Sequence, residues 1–304
     1  MQEFILVLSD DSLFSIIGQM SAIKEAIRDN IYGSIPERAR YSVQAILHEV
    51  GVNEVRYNWD AITSVDVGID SWCNRSCGYC NLSLAPDQHT SKGTAMPQET
   101  WCKVLSSLGR IDYKGDLQAV YLNEPLLTAE RTLAFYDDAA RLVPNARLIL
   151  FTNGDLLPKY SDQIAARNLE VHLGIHNPVN RRTIEFLEGP DGKRINISRI
   201  NDCRTKPLEW RTPSVPKDQV VHPRTCWNYI MRRRNLVSIT PDGDVQCCPH
   251  QTHQGEKETR IWGNINNTDL LEIYRQFEFW QFREQRRLGL TEGMRQMCRD
   301  CTGR

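Results

Sequence analysis

No apolar run in this chain approaches the ~18 residues that a membrane-spanning helix needs. The compact stretch Phe4-Ile5-Leu6-Val7-Leu8 has no basic flank and no small-residue cleavage site, so it reads as a strand and not as a signal peptide. An excess of one charge is lacking too. The 37 Lys and Arg face 38 Asp and Glu, a net −1, which gives no global attraction to nucleic acid or to acidic membranes. There is no dinucleotide fingerprint, no P-loop and no metalloprotease motif, and neither an internal repeat nor a low-complexity tract. What remains is a globular composition, 40% hydrophobic and 25% charged over 304 residues, with a cytoplasmic location as the expectation.

Cysteine, by contrast, is plentiful: ten residues, unevenly spread. Cys73, Cys77 and Cys80 form one group, Cys226, Cys247 and Cys248 a second, Cys298 and Cys301 a third; Cys102 and Cys203 stand alone. A reducing compartment keeps thiols free, so grouped cysteines there point to metal binding or catalysis and not to disulfides. Cys102 falls on the apolar face of a helical pattern and is expected to act as a small core hydrophobe.

The order of elements gives the fold class. After the opening strand, apolar spacing predicts helices over about Asp11–Asp29 and from Pro36 to Gly51. From Ala61, β-rich runs alternate with amphipathic helices. Strands are predicted at Ser64–Ile69, Leu117–Leu122, Leu148–Thr152 and Leu169–Ile175, with a weaker one at Ile195–Ile200. Helices are predicted at Pro97–Leu108, Ala129–Leu142 and Leu157–Asn168. This alternation means βα units and a parallel sheet. Asn201–Pro223 reads as a linker. Leu236–Thr240 and Asp244–Cys247 flank the turn signal Pro241-Asp242-Gly243, and a helix is expected at about Thr268–Arg286. Three segments follow: 1–60, N-terminal and helical; 61–202, the βα core; and 203–304, a linker with a cysteine-bearing module.

Cys73-Asn-Arg-Ser-Cys77-Gly-Tyr-Cys80 comes directly after a predicted strand. Three thiolates on one short loop hold three corners of an iron–sulfur cubane and leave the fourth iron open to a substrate or cofactor. Zinc is the rival, but structural zinc wants four ligands, and no nearby Cys or His completes a tetrahedron. Loops at the C-terminal ends of parallel strands are also where α/β barrels place their chemistry.

This loop resembles that of the radical S-adenosylmethionine (radical SAM) enzymes, whose hallmark is C-x3-C-x2-C with an aromatic residue, here Tyr79, before the last cysteine. Tyr121-Leu-Asn-Glu-Pro125 stands where that family carries a Gly-Gly-Glu-Pro-like segment. The resemblance implies that Asn123, Glu124 and Pro125 hold the methionyl amine of S-adenosylmethionine, although Leu122 and Asn123 replace the glycines. Phe151-Thr-Asn-Gly154 resembles the cofactor-side loop, so Thr152 and Asn153 are expected near the adenosyl part. Gly174-Ile-His176 ends the next strand, adding Gly174 and His176. His176 reads equally as an acid/base group and as a hydrogen-bonded structural histidine. Cys203, past the last barrel strand, reads as a hydrogen-atom donor or an inert thiol.

The C-terminal cysteines resemble the auxiliary-cluster module of radical SAM enzymes in its short twitch form, related to the SPASM domain. The ligand count suggests one cluster on Cys226, Cys248, Cys298 and Cys301, with Cys247 the alternative to Cys248. A zinc site on Cys247, Cys248, Cys298, Cys301, His250 and His253 is the rival.

The implied fold is a partial (β/α)6 TIM-like barrel followed by a β-hairpin-plus-helix module. The implied cofactors are two [4Fe–4S] clusters and S-adenosylmethionine, served by a flavodoxin- or ferredoxin-type reductant. In enzymes it resembles, reductive cleavage of S-adenosylmethionine gives a 5′-deoxyadenosyl radical that abstracts a substrate hydrogen. Small-molecule tailoring, by dehydrogenation or epimerisation in natural-product biosynthesis, is the favoured activity. Maturation of a ribosomal peptide is the alternative, and a zinc-stabilised binding protein without catalysis is the reading from another class.

Overall fold

The chain divides into two compact units, Met1–Arg56 and Tyr57–Arg304. A computed structural model describes residues 62–77, 80, 93–120, 123–176, 178–202, 236–246 and 261–276, all within the second unit. The expected N-terminal strand and helices lie outside these residues, as do Tyr79, Cys203, Cys226, Cys247, Cys248, His250, His253, Cys298 and Cys301.

Short alternating runs build an eight-stranded sheet. Its strands are β1 (Ser64–Val67), β2 (Asp116–Gln118), β3 (Arg147–Thr152), β4 (Glu170–Ile175), β5 (Asn196–Asp202), β6 (Leu236–Ile239), β7 (Asp244–Gln246) and β8 (Gly263–Asn264). Their order is β5-β4-β3-β2-β1-β6-β7-β8. Every pair from β5 to β6 is parallel, so six parallel strands stand side by side. The turn at Pro241-Asp242-Gly243 makes β6 and β7 antiparallel, as the sequence predicted, and β8 adds a further antiparallel edge. The hairpin thus begins inside the main sheet, hydrogen-bonded to β1.

The helices are α1 (Gln98–Gly109), α2 (Ala129–Leu142), α3 (Leu157–Ala166), α4 (Arg181–Glu188) and α5 (Leu270–Arg275). In α1, Trp101, Val104, Leu105 and Leu108 repeat at helical spacing and are all buried, each worth about 1.5–3 kcal/mol of apolar burial. They join one core with Val65, Val67, Leu117, Val237 and Val245 of the sheet and with Trp262, Ile265, Leu270 and Ile273 near the C-terminus. Polar bonds fix the same junction. Ser107 Oγ and Arg110 Nη2 both donate to Asp269 Oδ2, at 2.8 and 2.6 Å. Cys102 packs partly buried against this core and its thiol points at Asp138 Oδ2.

Three expectations change. The helix expected over Thr268–Arg286 ends at Arg275, because Gln276 turns to ψ 131°; the sequence beyond lies outside the described residues. The strand expected at Ile195–Ile200 starts at Asn196 and runs on to Asp202, so Asn201 and Asp202 belong to the sheet and not to the linker. The unpredicted α4 is highly charged, but Asn180 Oδ1 accepts from the Arg182 amide and caps it.

Candidate active site

Parallel strands bring their C-terminal ends to one rim, where the loop after β1 and the turns after β2 and β3 meet. The cysteine loop is anchored there by its own flanks. Glu124 N donates to Trp72 O at 2.7 Å. Asp70 is fully buried and accepts from Trp72 N at 3.3 Å, from Asn123 Nδ2 at 3.1 Å and from the Thr128 hydroxyl. One carboxylate therefore binds the start of the cysteine loop to the Asn-Glu-Pro segment.

Glu124 is the centre of the rim. It is 1% exposed, caps the 3₁₀ turn Pro125–Thr128 and accepts three hydrogen bonds. Oε1 takes Thr152 Oγ1 at 2.7 Å and Leu126 N at 3.1 Å; Oε2 takes Asn153 N at 2.7 Å. A carboxylate has about four acceptor positions, so Oε2 keeps one for a further donor. Burial pushes the Glu124 carboxyl up to about 7, against the pull of the Asn153, Thr152 and Leu126 hydrogen bonds. Pro125, also buried, opens the turn.

Thr152, Asn153 and Glu124, expected together from sequence, do meet. Thr152 Oγ1 also accepts from Gly154 N at 3.0 Å. Gly154 adopts φ +83°, and a Cβ there would stand 2.5 Å from Leu173 Cδ1, so the turn after β3 requires glycine. Asn153 Nδ2 reaches back to Asn74 Oδ1 at 2.9 Å.

The cysteines themselves are half-buried at positions 73, 77 and 80, with Cys80 N bonded to Cys77 O at 2.9 Å. Burial, joined by the charges of Glu124, Cys80 and Cys77, pushes the Cys73 thiol up to about 11. Among the described residues no three side chains converge on a single metal ion. Three soft sulfurs on one loop fit an iron–sulfur cluster with one iron left open.

His176 follows β4 directly. Its Nδ1 lies 3.7 Å from Cys77 Sγ, and Gly174 gives it room, since a Cβ at 174 would fall 2.5 Å from His176 Nε2. Both line a pocket with Arg75, Asn153, Asn180 and Thr183, next to the cysteine loop.

Sequence reasoning missed the residues that brace this rim. Asp155 accepts from Arg75 Nε at 2.6 Å, Arg75 Nη2 at 2.5 Å, Asn74 Nδ2 at 3.1 Å and Asn180 Nδ2 at 3.0 Å. Burial works against its charge, but the Arg75 bond and its companions win and hold the carboxyl below its ordinary range. The only sequence signal was a charged residue just after Thr-Asn-Gly.

Several known proteins resemble this chain. Residues 226–302 match the SPASM iron–sulfur cluster-binding domain. A 2-deoxy-scyllo-inosamine dehydrogenase dependent on S-adenosyl-L-methionine, from Niallia circulans, is 26% identical over 78% of this chain and 91% of its own length. The FeMo cofactor biosynthesis protein NifB of Rhizobium leguminosarum is 25% identical over 34% of the chain and 67% of its own. Among solved structures, BtrN in complex with AdoMet and 2-DOIA superposes with a TM-score of 0.61 at 21% identity, over 79% of this chain and 92% of that one. BtrN in an open conformation gives 0.54 over the same shares. The fold is theirs.

Proposed function

We propose that this radical S-adenosylmethionine enzyme, whose residues 226–302 form a SPASM iron–sulfur domain, oxidises a secondary alcohol on a small polyhydroxylated ring by two electrons. The observation that carries the reading is the meeting of the three-cysteine loop with buried Glu124 at the rim of β1, β2 and β3. The relative from Niallia circulans, named as a 2-deoxy-scyllo-inosamine dehydrogenase, supports the substrate class.

Cys73, Cys77 and Cys80 would hold the active cluster, and Cys226, Cys298 and Cys301 with Cys248 or Cys247 the auxiliary one. When bound, the clusters and S-adenosylmethionine supply one-electron chemistry and hydrogen-atom abstraction. The protein does the positioning. Glu124 offers its spare Oε2 acceptor to the methionyl ammonium, a charge-assisted contact. Asn153 and Thr152 hold that carboxylate still, and the pocket by Gly174 and His176 would take the nucleoside. In an alcohol oxidation the carbon loses a hydrogen atom, the hydroxyl a proton and the remaining electron goes to an acceptor. An auxiliary cluster on those C-terminal cysteines would supply that acceptor, and a flavodoxin- or ferredoxin-type protein would supply the starting electron. A reducing cytoplasm would keep the grouped cysteines free to bind metal; no described helix is long and apolar enough to cross a membrane.

The test is product mass after anaerobic incubation with 2-deoxy-scyllo-inosamine in deuterated buffer. A two-dalton loss is the expected result. An unchanged formula carrying one solvent deuterium would mean epimerisation, with Cys203 as the first donor to replace by Ala.

A further inference from the structure

The face of the sheet turned away from the helices carries polar residues that the rim chemistry does not use. Register pairs Gln118 of β2 with Asp66 of β1, Asp66 with Ser238 of β6, and Ser238 with Gln246 of β7. Four polar side chains thus stand abreast on four adjacent strands. Their neighbours in sequence, Val65, Leu117, Val237 and Val245, belong to the core shared with the helices. Strand side chains alternate between faces, so the polar row points to the opposite side of the sheet.

The row is buried, at 0% for Gln118, Ser238 and Gln246 and 4% for Asp66. Gln118 Nε2 donates to Ser64 Oγ at 2.7 Å. Among the described residues, Gln118 Oε1, Ser238 Oγ and both amide atoms of Gln246 have no hydrogen-bond partner. Each such group costs about 1–3 kcal/mol if nothing ever satisfies it, and folded proteins rarely leave several side by side. The level of the row also matters. Gln118 is the last residue of β2, and Asp66 and Ser238 are one short of the ends of β1 and β6. Register carries the same level to Ile149 of β3, three residues before Thr152, so the row lies on the sheet about 10 Å along the strands from the turn that holds Glu124.

Amides and a hydroxyl give and accept hydrogen bonds at once, which matches alcohol groups. The row holds a carboxyl and no cation, which does not suit phosphate. We propose that Gln118, Ser238 and Gln246 are specificity-determining residues that bind the hydroxyls of an uncharged or amine-bearing polyol ring, and that phosphorylated rings are excluded. The proposal rests on the small-polyol reading above and deepens it by assigning the recognition surface.

The experiment is anaerobic calorimetric titration of the reconstituted protein, with S-adenosylmethionine bound, using 2-deoxy-scyllo-inosamine, scyllo-inositol, glucosamine and glucosamine 6-phosphate. At least one unphosphorylated ring binds, and Gln118→Met, Gln246→Met and Ser238→Ala each weaken it about tenfold, one hydrogen bond's worth. Iron content and S-adenosylmethionine affinity stay as in the wild type; the thermal midpoint holds or rises for Gln246→Met and Ser238→Ala, whose buried groups are unpaired, and falls for Gln118→Met, which loses the bond to Ser64 Oγ. The proposal falls if no unphosphorylated ring binds, if glucosamine 6-phosphate binds more tightly than glucosamine, or if the variants bind as the wild type does. The enzyme reading fails separately, by a wild type that takes up neither iron nor S-adenosylmethionine.

Discussion

Arg75 grips Asp155 through two parallel bonds, Nε to Oδ2 at 2.6 Å and Nη2 to Oδ1 at 2.5 Å. Their side chains are only 12% and 14% exposed. Arg75 lies between Cys73 and Cys77, and Asp155 closes the turn after β3. The pair, with Arg75 Nη1 donating to Pro178 O at 2.9 Å, therefore fastens the middle of the cysteine loop to the ends of two other strands. If this loop holds a cluster, the contact would fix the loop's backbone before iron arrives.

Arg75→Lys keeps the charge but loses the planar fork, so the change is not conservative here. The expected cost is about 1–3 kcal/mol, together with lower iron incorporation at the first cluster. Urea midpoints and iron per chain after anaerobic reconstitution measure both. Wild-type values in both would mean that the ion pair does not organise the loop.

For Glu124 the sign of the pH effect can be worked out. Its folded-state pKa of about 7 lies above the ordinary 4.5, so its stability contribution is fully present below about pH 4.5 and is lost as pH rises to about 7. The size is about 3 kcal/mol at 1.36 kcal/mol per unit. Binding of the methionyl ammonium needs the charged form, so S-adenosylmethionine affinity should rise with pH through about 7. Glu124→Gln should weaken binding at least tenfold at pH 8 and flatten that rise, with iron unchanged. Equal affinity in wild type and variant at pH 8 would remove Glu124 from the cofactor site.

What was legible in the sequence was local. The helix expected at Ala129–Leu142 has those bounds, because Thr132, Leu133, Phe135, Tyr136 and Ala139 repeat within its span. Glu124 and Thr152-Asn153 were legible as short segments after successive strands. The Arg75–Asp155 pair was not, because 80 residues separate the partners and only the parallel order of β1, β2 and β3 brings them together. The polar row was half legible. Ser64-Val-Asp-Val67 alternates as a strand with one wet face would, but Leu236-Val-Ser-Ile239 carries a single polar residue, and only the register shows that Asp66, Ser238 and Gln118 line up and are buried.

A second pH effect lies far from the site. Asp138 on α2 accepts from Trp101 Nε1 and Gln98 Nε2, both at 3.0 Å, and from Arg141 Nη2 at 2.7 Å. The Trp101 bond first, with help from Arg141, Gln98 and Cys102, lowers its carboxyl to about 2. A depressed pKa gives stability above the unfolded value near 3.8 that is lost as pH falls towards about 2. The shift corresponds to about 2 kcal/mol before solvent screening and about 1 after it. Asp138→Asn should lower the thermal midpoint at pH 7 and lose that difference near pH 2. A constant difference across this range would show that packing, not charge, accounts for it.

The three-cysteine loop makes the sharpest metal prediction. Two [4Fe–4S] clusters require about eight irons per chain, by the composition of the cluster. Cys73→Ala, Cys77→Ala and Cys80→Ala combined should halve the iron, because the auxiliary ligands lie elsewhere in the chain. The same variant should lose all cleavage of S-adenosylmethionine, since the open iron that binds it is gone. Cys102→Ala is the control, because Cys102 faces Asp138 and the core, so iron and cleavage should both be untouched. Half the iron with cleavage intact would assign the active cluster to the C-terminal cysteines instead. Full iron in the triple variant would deny that Cys73, Cys77 and Cys80 are ligands at all.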